Sequence, residues 1–265
     1  MTQVEVKTRI PYTVEIGRGL LTSAGERVRA VCGGETAAVV SDDTVFSLYG
    51  AALCTQLEGA GYRVVPFVFP HGEASKNLST YAELVNFLAE KRLTRTDVLV
   101  ALGGGVTGDL GGFAAATYLR GIRYVQVPTT LLAAVDSSVG GKTAVDLPAG
   151  KNLAGCFHQP SIVLCDLDTL GTLPEQTFRD GCAEVIKYGM IDNAEFLRQL
   201  SETPAREQLE HVVTTCVRMK RDVVSEDEFD RGRRQLLNFG HTFGHAVEAC
   251  SRFAVSHGSA VAIGM

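Results

Sequence analysis

The sequence contains no C-x-x-C pair, no block of basic residues, no internal repeat and no low-complexity linker. Each absence removes a class of protein. The seven cysteines stand singly at positions 32, 54, 156, 165, 182, 216 and 250, an odd number without zinc-finger or redox spacing. They read as small core residues in a reducing compartment, not as disulfides or zinc ligands. No apolar run comes near the roughly 18 residues that a membrane helix needs. The opening segment, MTQVEVKTRIPY, is charged from the start and has no apolar stretch of the signal-peptide kind, so a cytoplasmic location is expected. With a net charge of −5 and no basic stripe interleaved with aromatics, no nucleic-acid partner is expected either. What is present is 45% hydrophobic and 21% charged residues in a chain of 265, enough for one large domain or two of ordinary size around a substantial core.

The densest polar chemistry lies in RRQLLNFGHTFGHAVEACSRFAVSHG, residues 233–258. Leu236, Leu237, Phe239, Phe243 and Val247 recur at helical spacing, which predicts a helix through 233–250 and puts His241 and His245 on one face. Two imidazoles one turn apart have metal-ligand geometry, and His257 follows after a short break at 251–256. Arg234 and Asn238 lie further back on about the same face. A helix side carrying Arg, Asn, His and His is costly against a core unless those groups have partners. The plainer alternative is a solvated face with a stray core histidine, and the gathering of three of the six histidines beside Arg and Asn weighs against it.

The first half alternates strand and helix. Strands are predicted at 12–16, 36–40, 62–69, 98–102 and 124–127, and helices at 20–31, 44–58, 78–91 and 110–118. Strands separated by helices of that length give a mostly parallel sheet covered on both faces. From about 172 no strand pattern returns, and the segments 193–200, 205–224 and 233–250 are helical. The fold class is therefore α/β, with an N-terminal Rossmann-like sheet domain at 1–171 and an all-helical domain at 172–265.

GGGVTGD at 103–109 follows a buried strand and opens a small-residue helix, and Gly103, Gly105 and Gly108 satisfy G-x-G-x-x-G. That context lets backbone N–H groups approach a pyrophosphate at a helix N-terminus. The motif is weak by itself, because it sits on a late strand and no acidic residue follows about 20 positions on. A glycine turn needed only for close packing is the alternative. Asp42, at the end of an earlier strand, is where a parallel sheet would offer a ribose carboxylate. Further on, DSSVGGKT at 136–143 and GKN at 150–152 place Lys142, Lys151 and Asn152 in Gly-rich loops suited to an anion such as phosphate. In CAEVIKYG, residues 182–189, Glu184 and Lys187 share a helix face, a pair that alone would read as an exposed salt bridge.

Five segments, GGGVTGDLGGFAAATYLRGI, VPTTLLAAVDSSVGGKTAVD, GKNLAGCFHQP, CAEVIKYG and LLNFGHTFGHAVE, together resemble the 3-dehydroquinate synthase family, and the similarity runs across essentially the whole chain. The resemblance implies a divalent metal, Zn2+ or Co2+, held by Glu184, His241 and His257, with His245 on the substrate side. Helical spacing alone would have made His241 and His245 the ligand pair. Substrate contacts are implied at Asp136, Lys142, Asn152, Lys187, Lys220, Arg234, Asn238 and His245, with Arg120 reaching in from the partner in a homodimer. NAD contacts are implied at Asp42, Glu73, Lys76, Gly104, Gly105, Val106, Asp109, Thr129, Thr130, Lys142, Lys151 and Thr172, while Thr44 stands where some members have Asn.

The implied activity is that of a carbon–oxygen lyase of the shikimate pathway, which leads to chorismate and the aromatic amino acids. It converts 3-deoxy-D-arabino-heptulosonate 7-phosphate to 3-dehydroquinate and phosphate by transient NAD oxidation, phosphate elimination, re-reduction and intramolecular aldol closure. Net redox change is zero, so NAD serves as a bound catalyst. Sister sugar-phosphate cyclases that make an inosose or a valiolone would share the NAD and metal residues, and Arg234 and Asn238 favour the dehydroquinate reading over them. A glycerol-dehydrogenase-like oxidoreductase has a similar layout, but a neutral polyol needs no lysines at 142, 151, 187 and 220. A non-catalytic scaffold would have little reason to keep Glu184, His241 and His257. Residues 256–265 look like a helix that stops while its pattern is still running, and members of the family continue into further helices. The expectation is a truncated chain whose cofactor half folds and binds NAD, with apolar surface uncovered from 205 onward, poor turnover and a loosely held metal at His257.

Overall fold

The two most apolar stretches of the first half, TAAVVSD and VLVALG, sit side by side in a seven-stranded sheet, buried on both faces as continuous apolar strands of a parallel sheet must be. The computed structural model describes residues 1–251 and 254–265. Its strands in chain order are β1 (Thr2–Val6), β2 (Tyr12–Gly17), β3 (Thr36–Asp42), β4 (Arg63–Phe69), β5 (Val98–Gly103), β6 (Arg123–Pro128), β7 (Lys142–Leu147), β8 (Gly150–Phe157) and β9 (Ile162–Asp166). The sheet order is β1-β2-β9-β6-β5-β3-β4, all parallel except the antiparallel β1–β2 pair, and β7–β8 is a separate antiparallel hairpin.

Helices α1 (Ala24–Val31), α2 (Asp43–Val45), α3 (Ala51–Gly59), α4 (Leu78–Glu90) and α5 (Gly105–Thr117) connect these strands. Apolar side chains fill both faces. On one, Leu84 and Leu88 of α4 and Leu110 and Ala114 of α5 meet Leu99 and Val40; on the other, Val28 of α1 and Leu53 and Leu57 of α3 meet Val39, Val100 and Val127. Each fully buried aliphatic side chain contributes about 1.5–3 kcal/mol. Beyond β9 come α6 (Glu175–Asp192), α7 (Ala194–Glu202), α8 (Leu209–Glu226), α9 (His241–Cys250) and α10 (His257–Gly264). Val185, Tyr188, Val213 and Val217 of these helices share one core with Val4, Val14, Ile16 and Val163, so the helical part is anchored on the β1–β2–β9 side of the sheet.

Three expectations need correction. Residues 142–152 are not Gly-rich loops, because Lys142, Lys151 and Asn152 stand on the hairpin strands. The glycines hid the strand pattern, yet Gly155 is there because a Cβ would lie 2.1 Å from the Thr143 carbonyl oxygen across the hairpin. The predicted strand at 124–127 is also not the last of the sheet, since the short, wholly buried β9 returns to its middle between β2 and β6. Finally, 233–250 is not one helix. Arg233–Asn238 is a 3-10 turn, Gly240 adopts φ +78°, and α9 begins at His241. A Cβ on Gly240 would stand 2.9 Å from the Val261 carbonyl oxygen, so the break is fixed by α10 packing against it. Arg234 and Asn238 therefore do not share a helix face with the histidines. Leu236, Phe239, Phe243 and Ile263 are exposed. Among the described residues no helix is long and apolar enough to cross a membrane.

Candidate active site

The carboxyl ends of β3, β5 and β6 lie next to one another and bring together Asp42, the glycine loop and the Thr129–Thr130 pair. Helix α5 starts at Gly105 with Gly104 as its N-cap and no side-chain cap, so the amides of its first turn are unspent and carry the positive end of the helix dipole. The Thr129 amide donates to the Gly103 carbonyl at 3.0 Å, which holds the β6 end against the loop, and the Asp42 Oδ1 caps α2 by accepting from the Val45 amide at 2.9 Å. The glycines are not equivalent. A Cβ at Gly103 would lie 2.3 Å from Thr107 Oγ1 and one at Gly108 2.6 Å from Gln126 Oε1, so these two serve packing. At Gly105 the nearest atom is Ser137 Oγ at 3.3 Å, so internal packing does not demand glycine there, and its bare backbone faces what the helix N-terminus can hold.

Beside the glycine loop stands a charged group. Lys76 is buried, with its Nζ 2.6 Å from Asp109 Oδ2, donating to Asn152 Oδ1 at 2.6 Å and 4.0 Å from Glu73. Burial raises the Asp109 pKa, and the lysine offsets that only in part. Lys151 is 3.6 Å from Glu73 and donates to Glu248 Oε1 at 3.0 Å. Val106 lies in the first turn of α5, Thr172 Oγ1 is 2.6 Å from the Tyr49 hydroxyl, and Thr44 is exposed.

A second charged group is built from α6, α8 and the turn at Ala133–Ser137. Lys220 donates to both the backbone carbonyl and Oδ1 of Asp136 at 2.6 Å, the Tyr188 hydroxyl donates to the same Oδ1 at 2.7 Å, and Lys187 lies 3.9 Å from Oδ2. Burial works to raise the Asp136 pKa, but Lys187 and Lys220 overcome it and hold the carboxyl well below its usual range. Burial lowers the Lys220 ammonium to about 8. Lys187 is also ion-paired with Glu184, and both are buried, so the pair is not the exposed surface bridge that its spacing alone suggested.

Glu184 then meets the histidines. Its Oε1 is 3.5 Å from His241 Nε2 and 3.4 Å from His257 Nε2, while its Oε2 is held by the Lys187 ammonium. Ligand atoms of Glu184, His241 and His257 all fall within 4.8 Å of one another. Two ligands each about 2.1 Å from a tetrahedral zinc stand about 3.4 Å apart, so these gaps are long for hydrogen bonds and right for donors sharing one ion. Burial works to lower the His257 pKa, yet Glu184 and Glu248 pull it above the ordinary imidazole value, whereas at His241 burial prevails and the pKa is lowered. His257 reaches Glu184 because α10 presses on α6: a Cβ at Gly258 would lie 2.3 Å from the Asp180 Cα. His245 is exposed, its ring 5.4 Å from that of His241 and 6.1 Å from that of His257, and it forms a second potential cluster with Glu248 and His257. His241 and His245 are thus neighbours on one helix, and the group gathered around Glu184 contains His241 and His257.

Other sequence-expected residues are placed differently. Lys142 is ion-paired with Asp230. Arg234 is buried and donates to the Glu228 carbonyl at 2.6 Å and the Gly140 carbonyl at 2.8 Å, leaving only its Nε without a partner. Asn238 is exposed at the end of the 3-10 turn, and Arg120 is exposed just past α5 with φ +68°. Tyr188, Asp230 and Glu248 were not foreseen. Only Glu248 carried a signal, one helical turn after His245.

Comparison with known proteins gives this arrangement its context. Residues 66–180 match the family model for the N-terminal part of 3-dehydroquinate synthase and residues 181–265 the model for its C-terminal part. A curated 3-dehydroquinate synthase from Caulobacter vibrioides is 53% identical over 264 residues, covering 96% of this chain and 71% of that protein. The solved structure of a 2-deoxy-scyllo-inosose synthase with carbaglucose-6-phosphate, NAD+ and Co2+ superposes with a TM-score of 0.91 at 31% identity, over all of this chain and 73% of the other. A 2-epi-5-epi-valiolone synthase from Streptomyces hygroscopicus subsp. jinggangensis, with NAD+ and Zn2+ bound, gives 0.88 at 30% identity, over all of this chain and 75% of the other. Matched across both family models and more than half identical to one of its curated members, this chain belongs to the 3-dehydroquinate synthase family.

Proposed function

We propose that this chain converts 3-deoxy-D-arabino-heptulosonate 7-phosphate to 3-dehydroquinate and phosphate, as an NAD- and metal-dependent carbon–oxygen lyase acting in the cytoplasm as a homodimer. The observation that carries the reading is the meeting of three features: the buried Glu184 with two imidazoles at 3.4–3.5 Å, the lysine pair around Asp136, and the uncapped helix N-terminus at Gly105. The identity to dehydroquinate synthases, higher than that to the inosose and valiolone enzymes, favours this substrate over theirs.

Glu184, His241 and His257 would hold the metal, three protein ligands leaving room for substrate oxygens. Asp42, Gly104, Gly105, Val106, Thr129, Thr130 and Thr172 would line the NAD site, with Glu73, Lys76, Asp109 and Lys151 as its charged wall. When bound, NAD removes and returns a hydride and the metal polarises the alcohol oxygens that lose protons. The chain's own residues supply position and charge. Lys187 and Lys220, converging on Asp136, hold ring oxygens and the carboxylate with charge-assisted donors. Arg234, through its orphan Nε, and Asn238 extend that carboxylate side. Lys142, Asn152 and His245 take the phosphate, and Arg120 is the residue a second protomer contributes. A cofactor part at 1–171 and a metal- and substrate-binding part at 172–265 would meet at the site, with Asp136, Lys142, Asn152 and Arg120 reaching the substrate from the first part and Thr172 reaching NAD from the second. Mass spectrometry of products from the zinc-loaded chain with NAD tests the choice of substrate: the carboxylate-bearing heptulosonate phosphate should be turned over and glucose 6-phosphate should not. Turnover of the aldose phosphate in its place would overturn the reading.

A further inference from the structure

Glu248 is a carboxylate buried to 2% exposure on α9, outside the three-residue centre, and both of its oxygens are engaged. Oε2 lies 3.3 Å from His257 Nδ1, and Oε1 accepts from Lys151 Nζ at 3.0 Å. A buried carboxylate is costly unless paired and hydrogen-bonded, so this one is held in place by what it joins. On one side it joins an imidazole whose other nitrogen faces Glu184 at 3.4 Å; on the other, a lysine of the hairpin that is also 3.6 Å from Glu73. A proton kept on Nδ1 by Glu248 leaves the Nε2 lone pair free and aims it at the Glu184–His241 centre. His241 is oriented differently, through Nδ1 on the Phe239 carbonyl at 3.1 Å, so only one of the two histidines has a carboxylate behind it.

We propose that Glu248 is a positioning residue that holds His257 in its ligating tautomer and, through Lys151, ties the metal centre to the cofactor crevice, so that metal and NAD bind with positive coupling. The proposal rests on the metal and NAD sites proposed above. Its basis is continuity: Glu184, His257, Glu248, Lys151, Glu73, Lys76 and Asp109 form an unbroken run of alternating charge from α6 to α5. Removing the middle member takes one carboxylate away from the imidazole and from the lysine together. Because coupling free energy is reciprocal, zinc must raise NAD affinity by the same factor as NAD raises zinc affinity.

The test measures zinc affinity by chelator competition, with and without saturating NAD, on the full chain and on Glu248→Gln, Glu248→Ala and His257→Ala, with folding checked by circular dichroism. Wild type should show coupling of about fivefold or more. Glu248→Gln, which keeps the volume and removes the charge, should bind zinc about 10–100-fold more weakly, with coupling reduced towards one and an altered visible spectrum of the cobalt-loaded protein. Glu248→Ala should lose at least as much, and where it fails to fold the isosteric variant decides. Unchanged zinc affinity in folded Glu248→Gln, or wild-type coupling in it, overturns the proposal while loss of zinc from His257→Ala leaves the metal site standing. Wild-type zinc affinity in His257→Ala would instead remove the metal site and the proposal with it.

Discussion

Lys220 should make the stability of this protein rise with alkaline pH. The residue is 6% exposed, and burial lowers its pKa from 10.5 to about 8 against the pull of Asp136, with Arg234 and Lys187 adding to the decrease. In the unfolded chain it returns to the ordinary lysine value, so between pH 8 and 10.5 the unfolded state binds more protons than the folded one. The shift costs about 3 kcal/mol at pH 7, and that cost fades as pH rises through the window. Urea unfolding of wild type and Lys220→Met at pH 7 and pH 10 isolates the effect, because other titrating groups cancel in the difference. Wild-type stability relative to the variant should gain about 2–3 kcal/mol over that range. A difference that stays flat within about 0.5 kcal/mol would refute the argument that Lys220 is charged at a desolvation cost in the folded state. A lysine retained at that cost fits a site that needs its charge, so KM for an anionic substrate should rise as the pH passes 8.

Glu184→Gln should lose stoichiometric zinc and turnover together, and because Lys187 then keeps only Asp136 at 3.9 Å, the metal-free protein should also lose about 3 kcal/mol in urea unfolding. His245→Ala should keep its zinc, measured by elemental analysis, and fail in substrate binding, since the exposed His245 is not one of the three groups around Glu184. Gly105→Ala should fold, with only Ser137 Oγ at 3.3 Å to displace, yet bind NAD at least about tenfold more weakly in calorimetric titration, whereas Gly108→Ala should chiefly lower the melting temperature because its Cβ meets Gln126.

The sheet was legible where strands are long and apolar, as in β3 and β5, and illegible where they are short or glycine-interrupted, as in β9 and the hairpin. The hairpin mattered most, since it turns Lys142, Lys151 and Asn152 from loop residues into strand residues of fixed direction. The break at Gly240 could not be read either, because the left-handed turn is imposed by α10, which is distant in the helical pattern but adjacent in space. Periodicity grouped His241 with His245, since it sees only one helix; the choice of His257 requires the approach of α10 to α6 through Gly258. Glu248 went unnoticed for the same reason: its partners His257 and Lys151 lie on other elements.

The most direct test of the central claim is the ratio of inorganic phosphate released to NADH formed when the zinc-loaded chain, with NAD well below the substrate concentration, is supplied with 3-deoxy-D-arabino-heptulosonate 7-phosphate. Hydride removed and returned within one turnover predicts many phosphates per NAD and no accumulation of NADH. NADH rising in step with substrate loss, or substrate consumed without phosphate release, would contradict it.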